Sequence, residues 1–291
     1  MSEHSKNSNV KANRLGQMLK AAPLAVLLGL PTGSALAADA RDNVALSFDV
    51  YAGSLRIFKI SMGMEIGNAD YAIHTNIKSK GVASLFAKTK INMSAAGRNS
   101  KTIVPLNFST KSKSKGKKRS VRMSWTGKGK HQVKRNFKLN AYKTKSLAKA
   151  VRPGMLDPLS YLMKMVARSA KQPCNGTERV YNGRQVAEYH YSLQGVSTFN
   201  RSTGGVYRGK AFKCSLKYRT IAGLSAEKQK AQDQKPPSVF TVWFAPVAGQ
   251  GRNLFVPIAA NGEVSGKAFT MRLSQGSVSG KPISKRVLAT N

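Results

Sequence analysis

Asn43-Val44-Ala45-Leu46-Ser47-Phe48-Asp49-Val50 places an apolar residue at every second position, and Ile60-Ser61-Met62-Gly63-Met64-Glu65-Ile66 does the same a few residues on. In an extended chain successive side chains point to opposite faces, so Val44, Leu46, Phe48 and Val50 lie on one face of their segment, as do Ile60, Met62, Met64 and Ile66 of theirs. This is the pattern of strands buried on one side. Tyr71, Ile73, Thr75 and Ile77 repeat it, and so do Val121, Met123 and Trp125. The first half is therefore expected to be an antiparallel meander.

A single helical period interrupts the alternation. Leu159, Leu162, Met163, Val166 and Ala170 fall on one helical face, with Asp157 placed to cap the helix and Pro158 suited to its first turn. After it, Asn182-Gly183 predicts a two-residue hairpin turn between residues 178–181 and a strand on which Ala187, Tyr189, Tyr191 and Leu193 share a face. Phe212, Cys214, Leu216 and Tyr218 line another strand, with Lys213, Lys217 and Arg219 opposite. Residues 225–238, containing Pro236-Pro237, read as a polar loop with at most a helical turn; 239–245, 254–258 and 269–273 read as the last strands. The fold class predicted is mainly β: a curved antiparallel sheet or partly open barrel with one amphipathic helix packed on it.

The first 37 residues read as an export signal. Lys6, Lys11, Arg14 and Lys20 form a basic leader, 21–30 an apolar run, and Ala35-Leu36-Ala37 a small-residue cleavage site, with Met18 an alternative start. The run contains Pro23 and is shorter than the roughly 18 residues a membrane span requires. A mature chain beginning at Ala38 would then work in the periplasm, as one domain over 38–291 with no convincing linker and no repeat.

Charge is the second dominant feature: 49 Lys and Arg against 12 Asp and Glu, a formal net charge of +37. Between Asp70 and Asp157 there is no acidic residue, while 22 Lys and Arg fall there. The densest part holds Lys111, Lys113, Lys115, Lys117, Lys118, Arg119 and Arg122, the candidate contacts to an anionic partner. In the cytoplasm such a balance would indicate nucleic acid; export removes that partner and leaves anionic lipid, glycolipid or wall polymer, with peripheral membrane contact allowed. Bland explanations compete with these partners. Alternating lysines protect an exposed strand edge, a hairpin tip is simply solvated, and a host living in acid favours few carboxylates.

Two cysteines, Cys174 and Cys214, stand 40 residues apart, and in an oxidising compartment a disulfide is the default. A redox pair would stand two residues apart, and a metal site would need more than His74, His131 and His190, which show no paired spacing. No cofactor and no metal are expected. The chain has no Gly-x-Ser-x-Gly elbow and no His-Glu-x-x-His helix. Gly262 to Lys267 is one residue short of a phosphate loop and reads as a turn; Glu188 and His190, two apart on one strand, are the best local acid-base pair and a commonplace surface one.

At Leu156-Asp157-Pro158-Leu159-Ser160-Tyr161-Leu162, followed by Cys174, Asn182-Gly183-Arg184, Cys214 and Ile221-Ala222-Gly223-Leu224, the chain resembles an exported family of Gram-negative bacteria, the domain of unknown function numbered 3108. Val50-Tyr51-Ala52-Gly53, Lys80-Gly81-Val82-Ala83, Trp243-Phe244-Ala245-Pro246 and Val256-Pro257 fit the same order. The resemblance implies a periplasmic, mostly antiparallel β protein with a cysteine pair at these positions and a helix starting at Asp157-Pro158. It implies no activity, and the basic stretch 111–122 departs from the family pattern. The expectation is a non-enzymatic envelope protein that binds an apolar or anionic component; a structural protein without ligand is the alternative, and a hydrolase of unrecognised type comes third.

Overall fold

The computed structural model describes residues 41–81, 83–86, 88–167, 174–203, 205–264 and 266–283. The predicted leader with its cleavage site, and Ala170 of the predicted helical stripe, lie outside them. The chain begins with a meander of β1 (Asp42–Ala52), β2 (Leu55–Ile66) and β3 (Asp70–Ser79), followed by a short helix α1 (Ala83–Phe86). It continues through β4 (Lys90–Asn99), β5 (Ile103–Ser114), β6 (Lys117–Trp125) and β7 (His131–Arg135). Two helices follow, α2 (Ala141–Ala150) and α3 (Pro158–Val166). The second half is β8 (Asn175–Tyr181), β9 (Val186–Phe199), β10 (Gly209–Ala222), helix α4 (Ala226–Asp233), β11 (Ser238–Ala248), β12 (Asn253–Val264), β13 (Lys267–Val278) and β14 (Lys281–Pro282).

All of these strands join one antiparallel sheet in the order β7-β6-β5-β4-β3-β2-β1-β13-β12-β11-β10-β9-β8, with β14 paired to β13. The two halves meet where β1 pairs with β13, and neighbours elsewhere on the path are neighbours in sequence. Register follows the alternation. Val44, Met64, Ile73, Ala95, Phe108, Met123 and Val133 stand abreast on the inner face, all of them buried but the last. The outward positions between them are polar or small. A slip of one residue would exchange the two faces, so burial of the inner face fixes the pairing.

The sheet is not closed into a barrel: β7 and β8 are its edges. Side chains and a strut of irregular chain span the gap. Arg135 Nη2 donates to the Tyr181 hydroxyl at 2.7 Å, and Arg135 Nε donates to the Gly183 carbonyl. Leu156 makes a parallel bridge with Val180, the Tyr181 N–H donating to the Leu156 carbonyl at 2.9 Å, while Trp125 Nε1 donates to the Met155 carbonyl at 3.1 Å. Residues 155–156 thus bond to strands on both sides of the gap.

Helix α3 packs against β3, β4, β5, β8 and β12, that is, against strands from both halves. Leu159, Ser160, Tyr161, Met163, Met165 and Val166 are all buried, which fits a helix enclosed by the curved sheet rather than one lying on its outside. The predicted start is observed: Asp157 Oδ1 accepts from the N–H groups of Leu159 and Ser160 at 2.9 and 3.0 Å, and Pro158 occupies the first turn. The second helix of this region, α2, escaped the apolar pattern because only Leu147 of it is buried. The segment read as a polar loop with a helical turn contains the eight-residue helix α4.

The Asn182 turn differs from its prediction. Tyr181 pairs with Val186, so the connection has four residues, and Asn182 Oδ1 accepts from Arg184 N and Gln185 N, both at 2.9 Å. Gly183 at φ +80° turns the chain towards β6, where a β-carbon would stand 2.3 Å from Val121 Cγ1. Val264 pairs with Lys267, so the phosphate-loop near-match falls where β12 connects to β13, and Ser265 of it lies outside the described residues.

Candidate functional site

Two features of the sheet invite a ligand, one on each face. On the inner face an apolar cavity of about 200 Å³ lies beneath α3. Its walls come from Tyr161, Leu162 and Met165 of the helix and from both halves of the sheet, including Phe48, Met62, Leu216, Val242, Ala260 and Met271. Cys214 also lines it and is bonded to Cys174; the two Cα atoms are 5.9 Å apart and both residues are 1% exposed. The bridge ties the start of β8 to β10 across the intervening β9. Nearby, Tyr161 stacks on Tyr189 with centroids 5.0 Å apart, and Tyr189 packs on Tyr218 at 5.4 Å. Burial, with Tyr218 beside it, pushes the Tyr189 phenol up to about 12, so it is neutral at any physiological pH.

Burial declines along the strands towards one end of this face. Met64, Ile66, Phe244 and Phe255 are buried, whereas Phe58, Ile60, Leu216, Phe240 and Phe269 are half-buried. That is the end where β1 turns into β2 and β5 into β6.

The other end of α3 carries a buried polar chain. The Tyr71 hydroxyl donates to Ser160 Oγ at 2.6 Å, Ser160 Oγ donates to Asp157 Oδ2, and Asp157 is 0% exposed. Burial raises the Asp157 carboxyl from 3.8 to about 6 against the pull of its hydrogen bonds, and burial likewise raises the Tyr71 phenol. Each group is occupied by the helix cap or by its neighbour, so the chain is a structural anchor for α3.

The outer face carries the basic residues. The β5–β6 turn is tight, with Lys115 and Gly116 both left-handed at φ 48° and 76°. Of the seven predicted anion contacts, Lys111, Lys113, Lys118 and Arg122 share the outer face through the pairs Lys113–Lys118, Lys111–Ser120 and Ser109–Arg122. Lys115 sits in the turn, and Lys117 and Arg119 occupy the opposite face of β6. The Arg119 and Arg184 guanidiniums each lie 5.7 Å from the centroid of the Phe137 ring, near the gap between β7 and β8. Sequence spacing did not show which lysines join this patch from other strands. Lys59, Lys78 and Lys90 stand directly abreast of Lys113 and Lys118.

Glu188 and His190, the local acid-base pair, are each engaged across the β8–β9 ladder. Arg179 Nε donates to Glu188 at 2.8 Å, and Thr177 Oγ1 lies 3.0 Å from His190 Nδ1. Among the described residues no group of three or more His, Cys, Asp and Glu gathers to hold a metal, and no helix is long and apolar enough to cross a membrane.

An antiparallel, incompletely closed β-barrel around an apolar helix, fastened by one disulfide, is the class that these features define. The chain belongs to the family described as protein of unknown function (DUF3108), whose sequence profile matches residues 47–273. Among solved structures it is similar to a β-barrel-like protein of the domain of unknown function DUF1849 from Brucella abortus, at 7% identity and a TM-score of 0.46 over 84% of this chain and 99% of that one. No curated protein matches the sequence.

Proposed function

We propose that the protein is a non-enzymatic binding protein of the cell envelope, exported to the periplasm, that takes an apolar portion of a lipid or glycolipid beneath α3. The cavity of about 200 Å³, whose walls include fourteen residues without a single charged side chain, is the observation that supports this reading. It exceeds the roughly 150 Å³ of an engineered cavity that binds benzene, yet falls below the roughly 300 Å³ at which pockets for drug-sized ligands begin. Its natural content is thus the end of an acyl chain or a similar small apolar group, with the rest of the molecule lying along the half-buried end of the inner face. The side-chain hydroxyls among these walls are those of Tyr161 and Tyr191, and no carboxylate or imidazole stands among them to activate a water.

The small size of the cavity also favours a second reading, a structural or interaction protein whose core holds no ligand. Native mass spectrometry of the protein purified from the periplasm, followed by organic extraction, separates the two. A co-purifying lipid or glycolipid supports the carrier or sensor; bare protein from several preparations supports the structural reading. Recovery of the protein from the cytoplasm alone, with residues 1–37 retained, would overturn the compartment on which both depend.

A further inference from the structure

One rung of the outer face reads, from β13 to β6, Arg272, Asp49, Lys59, Lys78, Lys90, Lys113 and Lys118. Five consecutive strands, β2 to β6, therefore present a lysine directly opposite a lysine. At about 4.8 Å between strands the five span about 19 Å in a straight line. Four of them are exposed and Lys59 is half-buried. None pairs with a carboxylate in any ion pair of the described residues; the one acid in the rung, Asp49, is next to Arg56 at 3.5 Å.

Like charges directly opposite on neighbouring strands destabilise a sheet, so this arrangement works against folding. Solubility would be served as well by lysines set apart. Edge protection does not account for it either, because β2 to β5 lie inside the sheet and the edges are β7 and β8. A solvated hairpin tip explains Lys113 and Lys118 but not Lys59, Lys78 and Lys90 on three other strands. What the row fits is an array of negative charges presented side by side.

The surroundings favour a lipid surface over a polyanion in solution. The row lies towards the end of the sheet where the inner face is half-buried and apolar, with Phe58, Phe240 and Phe269. At the same end Leu55, next to the β1–β2 turn, is 55% exposed beside Arg56. A soluble polymer has no use for those apolar groups, whereas a bilayer meets cations with headgroups and apolar side chains with its interfacial layer.

We propose that this end of the sheet is a docking surface for an anionic lipid membrane, with Lys59, Lys78, Lys90, Lys113 and Lys118 as the row that contacts the headgroup phosphates. The proposal stands on the row and its apolar neighbours and not on the cavity being filled. A protein that binds vesicles but carries no lipid would sustain it and refute the carrier reading, and the converse result would do the reverse.

The test is co-sedimentation with vesicles of phosphatidylglycerol mixed with phosphatidylcholine, and of phosphatidylcholine alone, at increasing salt. The protein is used in the form that accumulates in cells, its N-terminus read by mass spectrometry and kept the same in every variant. Each lysine near an anionic surface strengthens binding about fivefold, so the triple variant Lys59→Gln, Lys78→Gln, Lys90→Gln is expected to bind more than tenfold more weakly. The triple variant Lys145→Gln, Lys149→Gln, Lys210→Gln removes the same charge elsewhere and is expected to keep most of the affinity. Wild-type binding should require phosphatidylglycerol and fall with salt. Equal loss in the two triples would reduce the effect to net charge and overturn the proposal. So would wild-type protein that ignores the vesicles, including one that binds soluble polyphosphate through the same lysines. Should the first triple fail to fold by circular dichroism, Lys90→Glu alone makes the same comparison against Lys149→Glu.

Discussion

Arg135 on β7 donates to the Tyr181 hydroxyl on β8 at 2.7 Å, and this pair joins the two free edges of the sheet. A closed barrel would seal that seam with a backbone ladder. Here the phenol, whose pKa burial raises despite the nearby guanidinium, stays neutral and accepts a charged donor that also bonds the Gly183 carbonyl. The His131 ring packs on that of Tyr181, the centroids 5.4 Å apart.

Arg135→Ala should therefore open the seam. It removes charged hydrogen bonds to two acceptors and should cost roughly 1.5–3 kcal/mol, whereas Tyr181→Phe, which keeps the ring, should cost about 1 kcal/mol. Hydrogen exchange should accelerate in β8 more than in β1 or β2, which lie in the middle of the sheet. Unchanged protection of β8 in Arg135→Ala would mean that the Leu156 bridge and the contacts of α3 and His131 hold the edge without Arg135.

Asp157 should give the protein a distinctive pH response. Its carboxyl is raised from 3.8 to about 6 by burial, so the folded state holds the proton more tightly than the unfolded state does. The resulting stabilisation is complete below the unfolded value near 3.8 and is lost as pH rises through about 6. At 1.36 kcal/mol per unit the difference is about 3 kcal/mol. Asp157→Asn keeps an oxygen for the Leu159 and Ser160 N–H groups and does not titrate. Denaturant titrations at pH 4 and pH 8 should show the variant gaining on wild type by up to about 3 kcal/mol at the higher pH. Parallel curves would place the pKa elsewhere.

The strands were legible because one face of each is buried, so Val44 to Val50 and Phe212 to Tyr218 carry their orientation in a period of two. Helix α3 was legible for the corresponding reason at a helical period. Helix α2 was not: Asn140 Oδ1 caps it by accepting from Lys143 N at 3.0 Å, but its single buried residue, Leu147, makes no stripe. An asparagine followed by an alanine-rich, lysine-rich run was the signal available. The lysine row was beyond a reading of the sequence, since abreast positions on five strands depend on four registers at once. Local charge density pointed instead to Lys117 and Arg119, which the alternation of β6 carries to the other face.

The Cys174–Cys214 bridge closes a separation of 40 residues, for which the loss of unfolded-chain entropy amounts to about 4 kcal/mol. Cys174→Ala with Cys214→Ala should lower the denaturant midpoint accordingly, with the loss centred on β8, β9 and β10. Since Cys214 lines the cavity, the reduced wild-type protein and the double variant should also differ from the oxidised form in retention of any bound lipid. Retention unaffected by either change would separate the bridge from the site.

The lysine row predicts a stability gain on dilution of its charge. Lys90 stands between Lys78 and Lys113, so Lys90→Thr removes two opposed like-charge pairs and introduces a residue that favours strands. The expected gain is roughly 0.4–2 kcal/mol at low salt, shrinking as salt screens the neighbours. A variant that is less stable at every ionic strength would show that the row is not a strain on the sheet, and would remove one argument for its function.

Ala260 offers a way to close the cavity without disturbing the sheet. It sits on β12 between Val242 of β11 and Met271 of β13, with its methyl group towards the space beneath α3. A cavity of about 150 Å³ accepts benzene, so the phenyl ring of Ala260→Phe fits within the about 200 Å³ present here without the 1–3 kcal/mol that overpacking a full core costs. Filling empty apolar space should leave thermal stability equal or higher, because the lining regains the contacts it lacks. Binding should respond in the opposite sense: any lipid that co-purifies with wild-type protein should be absent from Ala260→Phe in native mass spectra, while vesicle binding through the outer face persists. A variant that folds, fills the cavity and still carries the same lipid would locate the lipid outside the space beneath α3.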